Sequence, residues 1–156
     1  MNKPQVNIAH AVTEDYRKTL EQIIRDGVCP FCVDFCQGNK PRYHPNPIII
    51  ETDWWAVTKN MRPYPGSSLH LLLVYKKHVL YPWEIDQKAW DDLRNVMKKL
   101  ATDYSLTHGT LFQRFGDTEF TGASVTHFHG QLIVGTSRNE GTDPLVVYCG
   151  YKVPGK

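Results

Sequence analysis

The stretch Ser124-Val125-Thr126-His127-Phe128-His129-Gly130-Gln131-Leu132-Ile133-Val134 sets His127, His129 and Gln131 at every second position. Its apolar and β-branched residues read as a strand, whose successive side chains point to opposite faces. All three polar residues therefore project from one face, each about 6.6 Å from the next at strand rise. A neutral imidazole can act as a nucleophile, a proton acceptor or a metal ligand, and an amide supplies hydrogen-bond donors. A pair of buried histidines that only hydrogen-bond fits the same His-x-His, so the spacing alone does not choose.

A second cluster lies near the other end of the chain. Three of the four cysteines, Cys29, Cys32 and Cys36, fall within eight residues. Cys29-Pro30-Phe31-Cys32 is a Cys-x-x-Cys turn, whose two thiolates can approach one tetrahedral zinc from a tight loop. A redox pair is the competing use. That motif belongs at a strand-to-helix junction, whereas this turn follows a helical pattern and precedes a loop, so zinc ranks above redox and both above inert thiols. Cys36 competes as a ligand, and Cys149 reads as a small buried hydrophobe.

The elements that must carry these residues can be read in order. Residues 1–12 have no clear period and suggest a loose arm. Thr13 is placed to cap a short helix over 14–26, with Glu14 and Asp15 in its first turn and Gly27 just past its end. Tyr16, Leu20, Ile23 and Ile24 recur at helical spacing, which gives that helix a packing role. Residues 37–47 are loop-like. Residues 47–51 and 54–58 form a hairpin candidate, and 59–68 break all regularity. Leu69–Tyr75 is almost continuously apolar, the pattern of a central strand, and it ends in Lys76-Lys77-His78.

Asp86 is a candidate cap for the longest helix, 87–105, with Trp90, Leu93, Met97, Leu100 and Tyr104 as its core stripe. Residues 110–115 read as a strand, 116–122 as a turn-rich loop, 125–134 as the His-x-His strand, and Leu145–Tyr148 as a last strand at an edge or an oligomer contact. The order gives an α+β fold with a mainly antiparallel sheet and one long and one short helix.

Composition bounds the answer further. The chain has 156 residues, 41% hydrophobic and 22% charged, which is the profile of one globular domain spanning 1–156. No apolar run approaches membrane-spanning length, and no signal-like apolar region opens the chain, so a cytoplasmic protein is expected, with no membrane partner. A formal charge of +2 is too small to argue for nucleic acid as a bulk partner, and none is expected. Trp54, Trp55, Tyr64 and the residues around Ile49 either wall an apolar slot or belong to the core.

Taken together, Lys76-Lys77-His78 after the central strand, the long helix that follows, and His127-Phe128-His129-Gly130-Gln131 resemble the histidine triad (HIT) superfamily. The resemblance spans residues 29 to 135, about two-thirds of the chain. The third triad position carries Gln131 where the commonest pattern has histidine. His-x-His-x-Gln is similar to the branch of sugar-phosphate uridylyltransferases and dinucleoside polyphosphate phosphorylases.

The resemblance implies nucleotidyl transfer through a covalent nucleotidyl-histidine on His129, with Gln131 donating to a phosphate oxygen. It also implies a structural zinc on Cys29, Cys32, His78 and His127, a nucleotide substrate and a homodimer. Ser124 stands where the family contacts phosphate, and Asn60 matches a position near the nucleotide, with ordinary turn formation as its equal alternative. Gln113 and Arg114, on the preceding strand, offer an amide and a guanidinium. The reading is a nucleotidyltransferase or phosphorylase acting on a dinucleoside polyphosphate or nucleoside diphosphate-linked substrate. A hydrolase of the same type is the alternative, and a zinc-stabilised nucleotide-binding protein without turnover is the alternative of another class. The base, adenine or uracil, stays open.

Overall fold

The computed structural model describes residues 5–36 and 41–155. The first four residues of the expected arm and residues 37–40 of the expected loop lie outside this range. Five strands form one antiparallel sheet: β1 (Ile48–Glu51), β2 (Trp55–Lys59), β3 (Leu69–Tyr75), β4 (Thr110–Arg114) and β5 (His129–Val134). Their order is β1-β2-β3-β5-β4. Among the described residues three α-helices accompany them, α1 (Glu14–Asp26), α2 (Gln87–Asp103) and α3 (Thr118–Thr121).

The central strand explains the two-layered core. Alternation sends Leu71, Leu73 and Tyr75 to one face, where they join Trp55, Val57 and the α2 residues Ala89, Leu93, Val96 and Leu100. Leu72 and Val74 go to the other face and meet Ala56, Leu20, Ile23, Phe31 and Phe35. A strand covered on both faces must be apolar at nearly every position, which is what 69–75 shows. Each such Leu contributes roughly 1.5–3 kcal/mol by burial. Trp55 Nε1 donates to the Ala89 carbonyl at 2.7 Å, tying the sheet to α2. Among the described residues no helix is long and apolar enough to cross a membrane.

Local signals set α1 where the sequence places it. Thr13 Oγ1 accepts from Tyr16 N at 3.2 Å, and Gly27 closes the helix at φ 65°. At α2 the start agrees, but Asp86 does not cap. Its carboxylate accepts from the Tyr75 hydroxyl at 2.8 Å and from Lys77 Nζ at 2.6 Å instead. The helix stops at Asp103 rather than 105, because Ser105 turns into the left-handed region at φ 51°.

Three expectations need correction. Regular strand structure begins at His129, not at 125, because the backbone before it bonds elsewhere: Thr126 N to Gln5 O at 2.9 Å and Phe128 N to Val79 O at 2.8 Å. The described part of the arm is docked, with Val6 bridged to Val125 and Asn7 N bonded to Ser124 O at 2.9 Å. Leu145–Tyr148 forms no strand; it lies in an irregular tail along the pocket described below, and Cys149 is exposed rather than buried. The tail's polar backbone meets a side chain, since Arg114 Nη2 donates to the Tyr148 carbonyl at 2.5 Å.

Candidate active site and metal centre

The sheet face opposite α2 carries a cavity of about 780 Å³, bounded by α1, residues 60–65, residues 122–125, β5 and the tail. His129 and Gln131 both line it, as alternation along β5 requires, together with Asn60, Arg62, Arg114 and Ser124. No Asp or Glu lines it among the described residues. A pocket of histidine, arginine, amide and hydroxyl groups suits an anion.

His129 opens β5, and its Nδ1 lies 2.7 Å from the His127 carbonyl oxygen. A carbonyl only accepts, so Nδ1 carries the hydrogen and Nε2 keeps the lone pair. Burial pushes the His129 imidazole down to about 4, helped by the Arg114 guanidinium. The ring is therefore neutral at physiological pH.

Gln131 is held from behind by a residue that sequence reasoning missed. His70 Nδ1 accepts from Tyr64 N at 3.1 Å, which fixes the proton on Nε2, and Nε2 donates to Gln131 Oε1 at 2.8 Å. Burial lowers the pKa of His70, consistent with this neutral form. With Oε1 engaged, the Gln131 amide presents only its N–H donors to other groups. The one signal for His70 is a polar residue inside an apolar strand; its partners come from two other segments.

Asn60 Oδ1 accepts from Arg62 N at 2.8 Å, and its Nδ2 lies 3.0 Å from His70 Nε2. Because that nitrogen is already a donor, the Asn60 amide hydrogens have no acceptor there. Ser124 Oγ lies 2.7 Å from the Tyr16 hydroxyl. Arg114 is cross-strand partner to His129, and its Nη2 also reaches the Tyr64 hydroxyl at 3.0 Å, while its buried Nε has no partner. Gln113 does not join the site. It pairs with Gly130, so its side chain lies on the opposite face from His129 and Gln131.

Of the candidate aromatic walls only Tyr64 lines the cavity. Trp55 is fully buried against α2, while Trp54 and Ile49 pack on the same core. Phe31, Leu72 and Met61 supply apolar wall instead, with Phe31 edge-on to His129 at 5.1 Å between centroids.

Beside the pocket, Cys29, Cys32, His78 and His127 bring four ligand atoms within 4.8 Å of one another. Tetrahedral zinc with bonds of ~2.3 Å to sulfur and ~2.0–2.1 Å to nitrogen implies S–N edges of roughly 3.6 Å and an N–N edge of roughly 3.3 Å. His127 Nδ1 lies 3.4 Å from Cys29 Sγ, 3.5 Å from Cys32 Sγ and 3.2 Å from His78 Nδ1, and Cys32 Sγ lies 3.4 Å from His78 Nδ1. The edges match. His127 Nε2 donates to the Tyr75 carbonyl at 2.7 Å, which leaves Nδ1 as a lone pair facing two sulfurs and another ring nitrogen, a donor set that suits a cation. The neighbouring Cys29 and Cys36 thiols hold the Cys32 thiol far below the usual thiol range. Cys36 itself stands outside the group of four.

A histidine triad nucleotide-binding protein from Candida albicans superposes with TM-score 0.55 at 22% identity, over 74% of this chain and 87% of that one. A HIT family hydrolase from Legionella pneumophila Philadelphia 1 gives 0.53 at 24% identity, over 73% and 98%. The chain has the histidine triad fold. A zinc-bound histidine triad family protein from Mycobacterium smegmatis is also similar, at TM-score 0.52 and 19% identity over 80% and 84%. Neither a family model nor a curated protein matches the sequence.

Within that fold, the residues expected at the site converge with two adjustments. His129, Gln131, Ser124, Asn60 and Arg114 meet at one cavity, Gln113 leaves it, and His70 enters behind Gln131.

Proposed function

We propose that the chain is a nucleotidyltransferase or phosphorylase that cleaves a dinucleoside polyphosphate, or another nucleoside diphosphate-linked substrate, through a covalent nucleotidyl intermediate on His129. The reading rests on the bond from His129 Nδ1–H to the His127 carbonyl, 2.7 Å long, which leaves a neutral Nε2 at a pocket that no carboxylate of the described residues lines. Nε2 attacks the α-phosphorus, an N–P bond forms, and the bridging P–O bond breaks with its electron pair leaving on the departing phosphate. The His127 carbonyl then stabilises the positive charge on the ring.

Charge that develops on the phosphoryl oxygens needs fixed donors. Gln131, Ser124, Asn60 and Arg114 supply amide, hydroxyl and guanidinium donors around the same cavity. Gln131 also restricts the leaving group. An amide donates a hydrogen bond but does not titrate, so this position cannot deliver a proton. A departing phosphate, whose last pKa is about 6, needs none at neutral pH, whereas an alkoxide does. This favours substrates joined through phosphate.

The second nucleophile, inorganic phosphate or a sugar phosphate, takes the nucleotide from His129; water in its place makes the chain a hydrolase, the alternative reading. Zinc is the metal that suits Cys29, Cys32, His78 and His127, and a site closed by four protein ligands gives it a structural role. The test is incubation with a dinucleoside tetraphosphate, with and without inorganic phosphate. A nucleoside diphosphate product formed only with phosphate is expected. Cleavage indifferent to phosphate identifies a hydrolase, and tight nucleotide binding with no cleavage identifies a binding protein.

A further inference from the structure

We propose that Tyr16, on α1, is a positioning residue for phosphate binding: its hydroxyl donates to Ser124 Oγ and so turns the Ser124 proton toward the bound phosphate. The inference rests on the reading of the cavity as a nucleotide site. It also changes the role of α1, whose spacing reads as packing alone. Leu20 and Ile23 do pack. Tyr16 packs beside them and also lines the cavity, with its hydroxyl 2.7 Å from Ser124 Oγ.

Two hydroxyls at that distance share one hydrogen, and which one donates decides what Ser124 offers a ligand. Phenol, with a pKa of about 10, is the more acidic partner and the better donor. Burial raises the Tyr16 pKa further, so the proton is present throughout the physiological range. A serine oxygen that accepts this bond must place its own hydrogen elsewhere.

Both ends of the pair are held. The Thr13 cap fixes Tyr16 in the first turn of α1 through a 3.2 Å bond, and the Ser124 carbonyl accepts from Asn7 N at 2.9 Å. The Arg62 guanidinium sits 6.0 Å from the Tyr16 ring centroid and has no carboxylate partner among the ion pairs of the described residues. A hydroxyl donor beside an uncompensated cation suits a phosphate oxygen.

The test is calorimetric titration of the full chain with AMP and UMP, and with adenosine and uridine, on wild type, Tyr16→Phe, Ser124→Ala and the double variant. Phenylalanine keeps the ring and removes only the hydroxyl. Tyr16→Phe is expected to weaken binding of the better nucleotide by roughly three- to tenfold, leave its nucleoside unchanged, and add nothing in the Ser124→Ala background. Unchanged nucleotide affinity overturns the inference, as does equal weakening of nucleoside and nucleotide, or the same loss with and without Ser124. A wild type that binds neither nucleotide removes the nucleotide-site reading and this inference with it, an outcome distinct from a failure at Tyr16 alone.

Discussion

His127 and His129 are two residues apart and hold opposite tautomers. His127 donates through Nε2 to the Tyr75 carbonyl and presents Nδ1 to two sulfurs, whereas His129 donates through Nδ1 to the His127 carbonyl and presents Nε2. Identical side chains thus reach different chemistry because two backbone carbonyls select different nitrogens. The bonds are also in series: the carbonyl that orients His129 belongs to the residue anchored in the metal corner. A single His-x-His thus divides into a half turned to the cysteines and a half turned to the pocket, and the backbone of the first orients the second.

This division can be broken by mutation in both directions. The largest effect is expected from His129→Ala, a loss of about 10⁴-fold or more in turnover with no acid-labile nucleotidyl adduct, because the nucleophile itself is removed. Zinc content measured by metal analysis should stay at one equivalent per chain. A variant that still forms the adduct would sink the assignment. Cys32→Ser should act in reverse, losing zinc and costing about 4 kcal/mol of unfolding free energy in denaturant titrations. Wild-type stability in that variant would remove the metal from the folding argument.

Acid sharpens the contrast next. Burial pushes His129 down to about 4, and lowers His44 and His70 as well, so these rings stay neutral in the folded protein while the unfolded chain takes up protons below about 6.5. The unfolded state then binds more protons, and stability falls as pH drops from about 6.5 to about 4, by on the order of 3 kcal/mol for His129 alone. Denaturant midpoints measured across that window check the sign; a midpoint that rises toward acid contradicts it. The smallest effect is expected from His70→Phe. It frees Gln131 Oε1 to rotate and should lower kcat roughly tenfold while nucleotide affinity, measured by titration, changes less.

What could be read from the sequence follows from how local the cause is. The limits of α1 depend on Thr13 and Gly27, and those of β3 on an unbroken apolar run, so both elements match their expected spans. The clustering of Cys29, Cys32, His78 and His127 and the place of His129 at the cavity were expected because the order of motifs resembles a known superfamily. His70 escaped notice because one histidine in an apolar strand looks like core until Tyr64 and Gln131 are brought to it. Gln113 was misplaced because its face depends on the register against Gly130. The Leu145–Tyr148 run has strand-like composition, but its backbone contact is a side chain of β4 rather than a neighbouring strand.

Tyr75, at the end of β3, touches both halves of the molecule. Its carbonyl orients His127 at 2.7 Å, and its hydroxyl donates to Asp86, at the entry to α2, at 2.8 Å. A change in occupancy at the metal corner therefore has a one-residue route to the far side of the sheet. Amide hydrogen exchange in the first turn of α2 is therefore expected to differ with and without added zinc, a measurement that needs no nucleotide.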